Sequence, residues 1–262
     1  MTEREYRAHP AISRSDLWIL RQSPEKFKWE REHPSPPTPA LLLGQATHKL
    51  LLQPESFAEE FAVAPALDRR TAAGKAAYAE WAEAAEGKEI ITPEMLELAR
   101  AMAGAVLDCD KAAKLLQGTK EQVYFWKETT TGEACKCRVD CLNTSLSVPV
   151  IIDVKTAADA SVEAFARAAI NHGYDFQSGM YTEGLEANIG ERPRFVFIVV
   201  EKDPPYAVNI LQAEELFVLH GIDIFRELIG LYHECKEEDN WYGYLGKKKA
   251  INTLTLPGWV QI

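Results

Sequence analysis

The chain has 262 residues, 47% hydrophobic and 26% charged, which suits one large globular domain with a helical annex and argues against a disordered chain. Its formal net charge of −10 argues against a simple nucleic-acid coat, because phosphate binding needs a positive face; any DNA path must be a local basic patch on an acidic body. No apolar run approaches the ~20 residues that cross a bilayer, and the start MTEREYRAHP lacks the apolar core of a signal peptide, so a cytoplasmic protein with no membrane contact is expected.

Ser13 precedes SDLWILRQSPEKFKWERE, a helix-like stretch that the Pro-rich segment HPSPPTPA closes. ALLLGQATHKLLL then reads as a buried helix with a polar stripe of Gly44, Thr47 and His48. Residues 67–88 are Ala-rich and charged, and read as partly helical and solvent-facing. Thr92-Pro93 marks a helix start, with Thr92 as N-cap and Pro93 at the first helical position; that helix runs to about Val106. A short helical piece from Ala112 to Leu116 follows. EQVYFWKE, EACKCRVDCLN and VPVIIDVKT read as three strands, the first two joined through Thr130-Thr131-Gly132 as a hairpin. Helical spacing returns in VEAFARAAINHG and YDFQSGMYTEGLEAN. RFVFIVVEKD and YAVNILQ form a strand pair around Pro204-Pro205, and AEELFVLHGIDIFRELIGLYHECKEE is one long amphipathic helix. The order predicts an α/β domain with a mixed central sheet flanked by helices and an N-terminal helical annex. Within one domain, residues 1–117 are mainly helical, 118–236 form the sheet core, and 237–262 are a basic irregular tail.

The odd count of five cysteines and the absence of any C-x-x-C pair argue for free thiols. On a strand, Cys135, Cys137 and Cys141 would lie on one face as small buried groups. The strand VPVIIDVK ends in Asp153 and Lys155, two residues apart and so on one face. Pairing with the preceding strand could bring Asp140 beside Asp153. Two adjacent carboxylates repel unless a cation lies between them, and hard oxygen ligands suit Mg²⁺ or Mn²⁺. A lysine beside such an ion can orient or deprotonate a water. Taken singly these residues are bland. D-x-K is common at solvated strand ends, and a lone histidine in an apolar helix is usually a core residue. Gln177 and Tyr181, spaced i, i+4, share one helix face.

Together Gly44-x-x-x-His48, Glu121, Asp140, Asp153-x-Lys155 and Gln177-x-x-x-Tyr181 resemble, in order, the motifs of RecB-type PD-(D/E)xK nucleases. HPAISRSDLWIL, PTPALLLGQATHKLLLQPE, DRRTAAGKA, CKCRVD, IIDVKT, HGYDFQSGMY and FIVVEKDPPYAV are similar to RecE-type exonucleases, the exonuclease VIII C-terminal nuclease domain and its phage and prophage relatives. The resemblance covers most of the chain from about His9 to Leu211. Val139 stands where the family name implies a proline.

The resemblance implies a single nuclease domain with a restriction-endonuclease-like core. His48, Asp140, Asp153 and the backbone carbonyl of Val154 would bind one or two Mg²⁺ ions, with Mn²⁺ able to substitute. Lys155 would position the attacking water, Glu121 would assist, and Gln177 and Tyr181 would hold the site's helix and touch the DNA phosphate. It further implies 5′ to 3′ digestion of linear double-stranded DNA in a bacterial or phage-infected cell. Two partners are implied: a ring-shaped homo-oligomer, trimer or tetramer, and a single-strand annealing protein of the RecT type. Arg69, Arg70 and Lys75 are the densest basic patch of the first half and read as phosphate contacts, or else as a solvated helix face. Lys247, Lys248 and Lys249 read equally as DNA contacts or as a solubilising surface run. Trp81 and Phe125 read as packed aromatics rather than base-stacking ones. Two other functions fit the residues: a helicase-associated or CRISPR-adaptation nuclease with a four-cysteine iron–sulfur cluster, and a non-catalytic DNA-binding module on a nuclease fold.

Overall fold

The computed structural model describes residue 1, residues 3–68 and residues 70–255; Arg69 and the tail residues 256–262 lie outside the described residues. Helix starts follow local chemistry. After α1 (Glu3–Ala8), Ser13 caps α2 (Arg14–Leu20) through a capping box with Asp16. Ser23 caps α3 (Pro24–Glu32), with Pro24 at its first position. The first helical stretch is therefore two helices, because Pro24 lacks the N–H that would continue α2.

Thr38 caps α4 (Pro39–Leu52), the helix that carries His48. A 3₁₀ turn (Pro54–Ser56) and α5 (Phe57–Glu60) lead to β1 (Phe61–Val63), which pairs in parallel with β2 (Glu89–Ile91) after α6 (Ala72–Ala84). This two-stranded sheet interrupts the helical annex; three-residue strands are too short to leave a readable alternation. α7 (Pro93–Asp108) starts on the Thr92 cap, as expected, and α8 (Asp110–Leu115) follows.

The central sheet contains β3 (Thr119–Lys127), β4 (Ala134–Asn143), β5 (Val150–Ala157), β6 (Arg194–Glu201) and β7 (Val208–Gln212), paired in sequence order. All neighbours are antiparallel except β5 and β6, which are joined by α9 (Val162–His172) and α10 (Tyr174–Ile189). α11 (Glu215–Glu237) closes the fold. One sheet face packs under α2, α3, α9, α10 and α11 through Leu17, Phe27, Phe165, Phe176 and Phe225. The other packs under α4, α7 and α8 through Ala46, Met102, Val106 and Ala112. The result is the mixed sheet between helical layers that the sequence predicts.

The expectation for the cysteines needs correction. Cys135, Cys137 and Val139 belong to the core under α10, but Cys141 belongs to the opposite core. Between them lies Asp140. Opposite Asp140 on β3 is Glu121, whose φ of 52° lies in the left-handed region that non-glycine residues seldom enter. The ladder pairs on both sides of that step keep one register, so the pleat turns over on both strands at once. All three thiols are buried and free, in two different cores.

Buried Glu133 ties the β3–β4 hairpin to α11, accepting from Lys236 Nζ (2.8 Å) and pairing with His233 Nδ1 (2.9 Å). Burial favours the neutral acid, but these hydrogen bonds outweigh it and hold Glu133 below the usual glutamate range. A depressed carboxylate stabilises the fold above its ordinary pKa and loses that contribution as pH falls through the folded one. The melting temperature of the wild type is therefore expected to fall more steeply than that of Glu133→Gln from about pH 5 downward. Parallel curves would remove this role.

Among the described residues no helix is long and apolar enough to cross a membrane.

Candidate active site

The site lies where β4 and β5 separate. Their ladder runs Asn143↔Val150, Leu142↔Ile151, Cys141↔Ile152, and the next step of that register sets Asp140 opposite Asp153. Across the other edge of β4, Glu121 lies opposite Asp140. Three acidic residues thus stand in a row over three adjacent strands. The β4–β5 ladder stops at this row, and the Asp140 side chain takes over: its Oδ2 accepts from the backbone N–H of Val154 at 2.7 Å. The same oxygen lies 3.3 Å from His48 Nδ1 on α4.

Asp153 is held from the opposite helical layer. Its Oδ1 accepts from Gln177 Nε2 on α10, and its Oδ2 pairs with the ammonium of Lys155. That Oδ2 is buried, and the Lys155 ammonium is its partner. Lys155 Nζ also sits 4.7 Å from the centre of the Tyr174 ring. The layer of α4 therefore supplies His48, the layer of α10 supplies Gln177 and Tyr174, and the sheet supplies the carboxylates and the lysine.

The electrostatics follow from crowding negative charge in partial burial. Burial, then Asp140, pushes Glu121 up to about 7. Asp153 is also raised, first by burial and then by Asp140, against the opposing pull of Lys155. Asp140 is lowered: burial opposes its charge, but His48, Lys155 and the Val154 N–H outweigh that. His48 responds in kind, and Asp140 overcomes burial to raise it to about 9. Burial keeps the Tyr181 phenol neutral, well above its ordinary value, with Tyr6, Cys137 and Asp153 adding to the effect.

A divalent cation fits this set. One ligand atom each from His48, Glu121 and Asp140 lie within 4.8 Å of one another. Carboxylate oxygens with one imidazole are donors suited to Mg²⁺ or Mn²⁺. Asp153, whose Oδ2 pairs with Lys155, supplies a further carboxylate beside them.

The structure thus gathers His48, Glu121, Asp140, Asp153, Lys155 and Gln177, with the Val154 backbone bonded to Asp140. Tyr181, partly buried, lies on the Gln177 face of α10 within electrostatic range of Asp153. The basic patch is not part of this cluster: Arg70 is exposed and paired with its neighbour Asp68, and Lys75 faces solvent. Lys247 pairs with Glu234 on α11 and with Glu238 at its C-cap, which favours the surface-run reading over DNA contact. Trp81 is half-buried against Tyr78, whereas Phe125, tilted against His9, is exposed and does not take the buried position expected of it. Sequence reading missed Tyr174, Arg138 and Arg14. Arg138 Nε lies 3.9 Å from Glu121 Oε2. Its signal was a charged residue set between the apolar Cys137 and Val139, two residues before Asp140.

A mixed sheet with D-x-K on a central strand, an opposing aspartate and a helix bearing Q-x-x-x-Y defines the PD-(D/E)xK nuclease class. Residues 13–253 match the family described as PDDEXK-like domain of unknown function (DUF3799), and the chain belongs to that family. Nucleases of this class use divalent metals, in keeping with the acidic cluster. The crystal structure of a protein from Eubacterium rectale, described as a "putative exonuclease", shares the fold: the TM-score is 0.64 at 13% identity, over 98% of this chain and 95% of that one. The crystal structure of SSO0001 is also 13% identical, over 71% of this chain and 85% of that one, but its TM-score of 0.34 carries no argument. No curated protein matches the chain.

Proposed function

We propose that the chain is a Mg²⁺-dependent exonuclease of the RecE type, specific for linear double-stranded DNA, which degrades 5′ to 3′ and leaves 3′ single-stranded tails for single-strand annealing. The observation that carries the catalytic part is the row Glu121, Asp140, Asp153, with His48 on one side and Lys155 and Gln177 on the other. Polarity, tails and duplex preference rest on the motifs shared with RecE-type exonucleases. So do the annealing partner and the trimeric or tetrameric ring.

His48, Glu121 and Asp140 would hold the ion, with Asp153 and the Val154 carbonyl completing the set. When bound, the ion offsets negative charge on the phosphate and makes water a better nucleophile at neutral pH. Lys155 holds its ammonium at the mouth of the carboxylate row, where it can orient a water and meet charge building on a phosphate oxygen. Gln177 fixes the rotamer of Asp153. Tyr181, a neutral phenol, is a hydrogen-bond donor on the same helix face for a phosphate oxygen.

The test is digestion of linear duplex DNA labelled at the 5′ or the 3′ end, with a circular duplex as control. With Mg²⁺, the 5′ label is expected to be released first and the circle to stay intact; a chelator is expected to stop release. A cut circle would make the protein an endonuclease, and early release of the 3′ label would reverse the polarity. Duplex bound but left intact would favour a binding module.

A further inference from the structure

An arginine from the helical annex reaches the rim of the site. Arg14 is the first residue of α2, and its Nη2 donates to the carbonyls of His172 and of Gly173 (3.0 Å) at the corner between α9 and α10. Its guanidinium lies 4.9 Å from the centre of the Trp18 ring and 5.8 Å from that of Phe176, beside two rings that stack on each other with centres 6.2 Å apart. The corner admits no side chain: a Cβ on Gly173, whose φ is 65°, would sit 2.2 Å from Trp18. The arginine is thus fixed in place by two carbonyls and two rings. Its Nε is buried and has no hydrogen-bond partner. Its electrostatic neighbours are Tyr181, Tyr174, Asp153 and Asp175, the first three being groups of the active site; all four oppose the burial that lowers its pKa.

A buried N–H without an acceptor is uncommon, and on a guanidinium it marks a missing anion or carbonyl. Tyr174, whose ring carries the Lys155 ammonium, follows Gly173, whose carbonyl accepts from Arg14. We infer that Arg14 binds a phosphate group of the substrate strand through the N–H groups of Nη1, which its contacts to the α9–α10 corner through Nη2 leave over. A guanidinium N–H donates a charge-assisted hydrogen bond to a phosphate oxygen from a fixed planar group. On a chain of net charge −10, a cation fixed beside the carboxylate row also counters their repulsion of DNA. The competing role is purely structural. Asp175 Oδ1 is also buried without a hydrogen bond, and in that role Arg14 only clips the corner and balances that acid.

The inference deepens the nuclease reading and rests on it for the identity of the ligand. The experiment measures binding of a short fluorescent duplex, with Ca²⁺ in place of Mg²⁺, over a range of salt, and KM and kcat for cleavage with Mg²⁺. Arg14→Gln is expected to raise Kd roughly tenfold and to lower the slope of log K against log salt by about one. Arg14→Lys keeps the charge and loses the fixed planar donors, so its Kd is expected to rise about threefold with an unchanged slope. Arg31→Gln, on an exposed part of α3, controls for general charge loss. If Arg14→Gln does not fold, Arg14→Lys carries the test. Wild-type Kd and slope in the folded Arg14 variants, even with a lower melting temperature, would leave only the clip. Wild type that binds but does not cleave overturns the nuclease reading and leaves the Arg14 result readable from Kd; wild type that does neither overturns both.

Discussion

Replacing Asp153 with Asn or Lys155 with Met is expected to lower duplex cleavage by roughly 100- to 10,000-fold while the protein stays folded. Asp153→Asn keeps an oxygen for the Gln177 amide to donate to, so the rotamer and the α10 contact survive. What is lost is the charge at Oδ2, which pairs with Lys155. Lys155→Met removes the cation and leaves Asp153 buried without it. Burial already raises the pKa of this carboxyl, so without Lys155 it shifts further toward the neutral acid. The two variants therefore disable the same pair from opposite ends, and their effects are expected to be far from additive. The metal arm of the test reads the fold independently of rate. Mg²⁺ at 100 times its Kd stabilises a protein that binds it only when folded by about 2.7 kcal/mol. That rise in melting temperature is expected in the wild type and is expected to shrink in Asp140→Asn. Wild-type turnover in Asp153→Asn would remove the assignment of this pair to the chemistry.

The residues of this pair were legible because the chemistry follows local periodicity. Asp153 and Lys155 share a face by the two-residue repeat of a strand, and Gln177 and Tyr181 by the four-residue repeat of a helix. The strand boundaries around β4 and β5 then fix the register that sets Asp140 against Asp153. What was not legible depends on contacts between distant parts of the chain or on single dihedral angles. Arg14 meets Gly173 across 159 residues, and nothing about an arginine after a serine N-cap announces it. Nothing in the strand pattern foretold the positive φ of Glu121, yet it turns the pleat and sends Cys141 to the opposite core from Cys137. A residue held in a sparsely populated region at a site is commonly there for function. Here it sets Glu121 within ligand distance of His48 and Asp140.

The largest stability effect is expected from two glycines, one on each of the two longest helices of the catalytic half. α10 and α11 cross with backbone against backbone. A Cβ on Gly221 would sit 1.8 Å from the carbonyl oxygen of Asp175, and one on Gly179 would sit 2.2 Å from the backbone nitrogen of Ile222. The obstacles are main chain, so no rotamer change relieves them. Alanine in a helix interior gains up to ~1 kcal/mol over glycine from the backbone term alone. Overpacking a close contact costs about 1–3 kcal/mol and more where the backbone must move. The clash wins, and Gly179→Ala and Gly221→Ala are each expected to lose roughly 3 kcal/mol or more by chemical denaturation. Gly104→Ala in α7 is the control: a Cβ there meets nothing within 4 Å, so only the helix term acts and stability is expected to hold or rise. Activity is expected to fall further than stability. Pushing α10 away from α11 moves Gln177, the group that sets the Asp153 rotamer, and a shift of about 1 Å at a catalytic group can cost roughly 100-fold in rate. If both glycine variants melt where Gly104→Ala does, the close crossing is not what holds α10 over the carboxylate row.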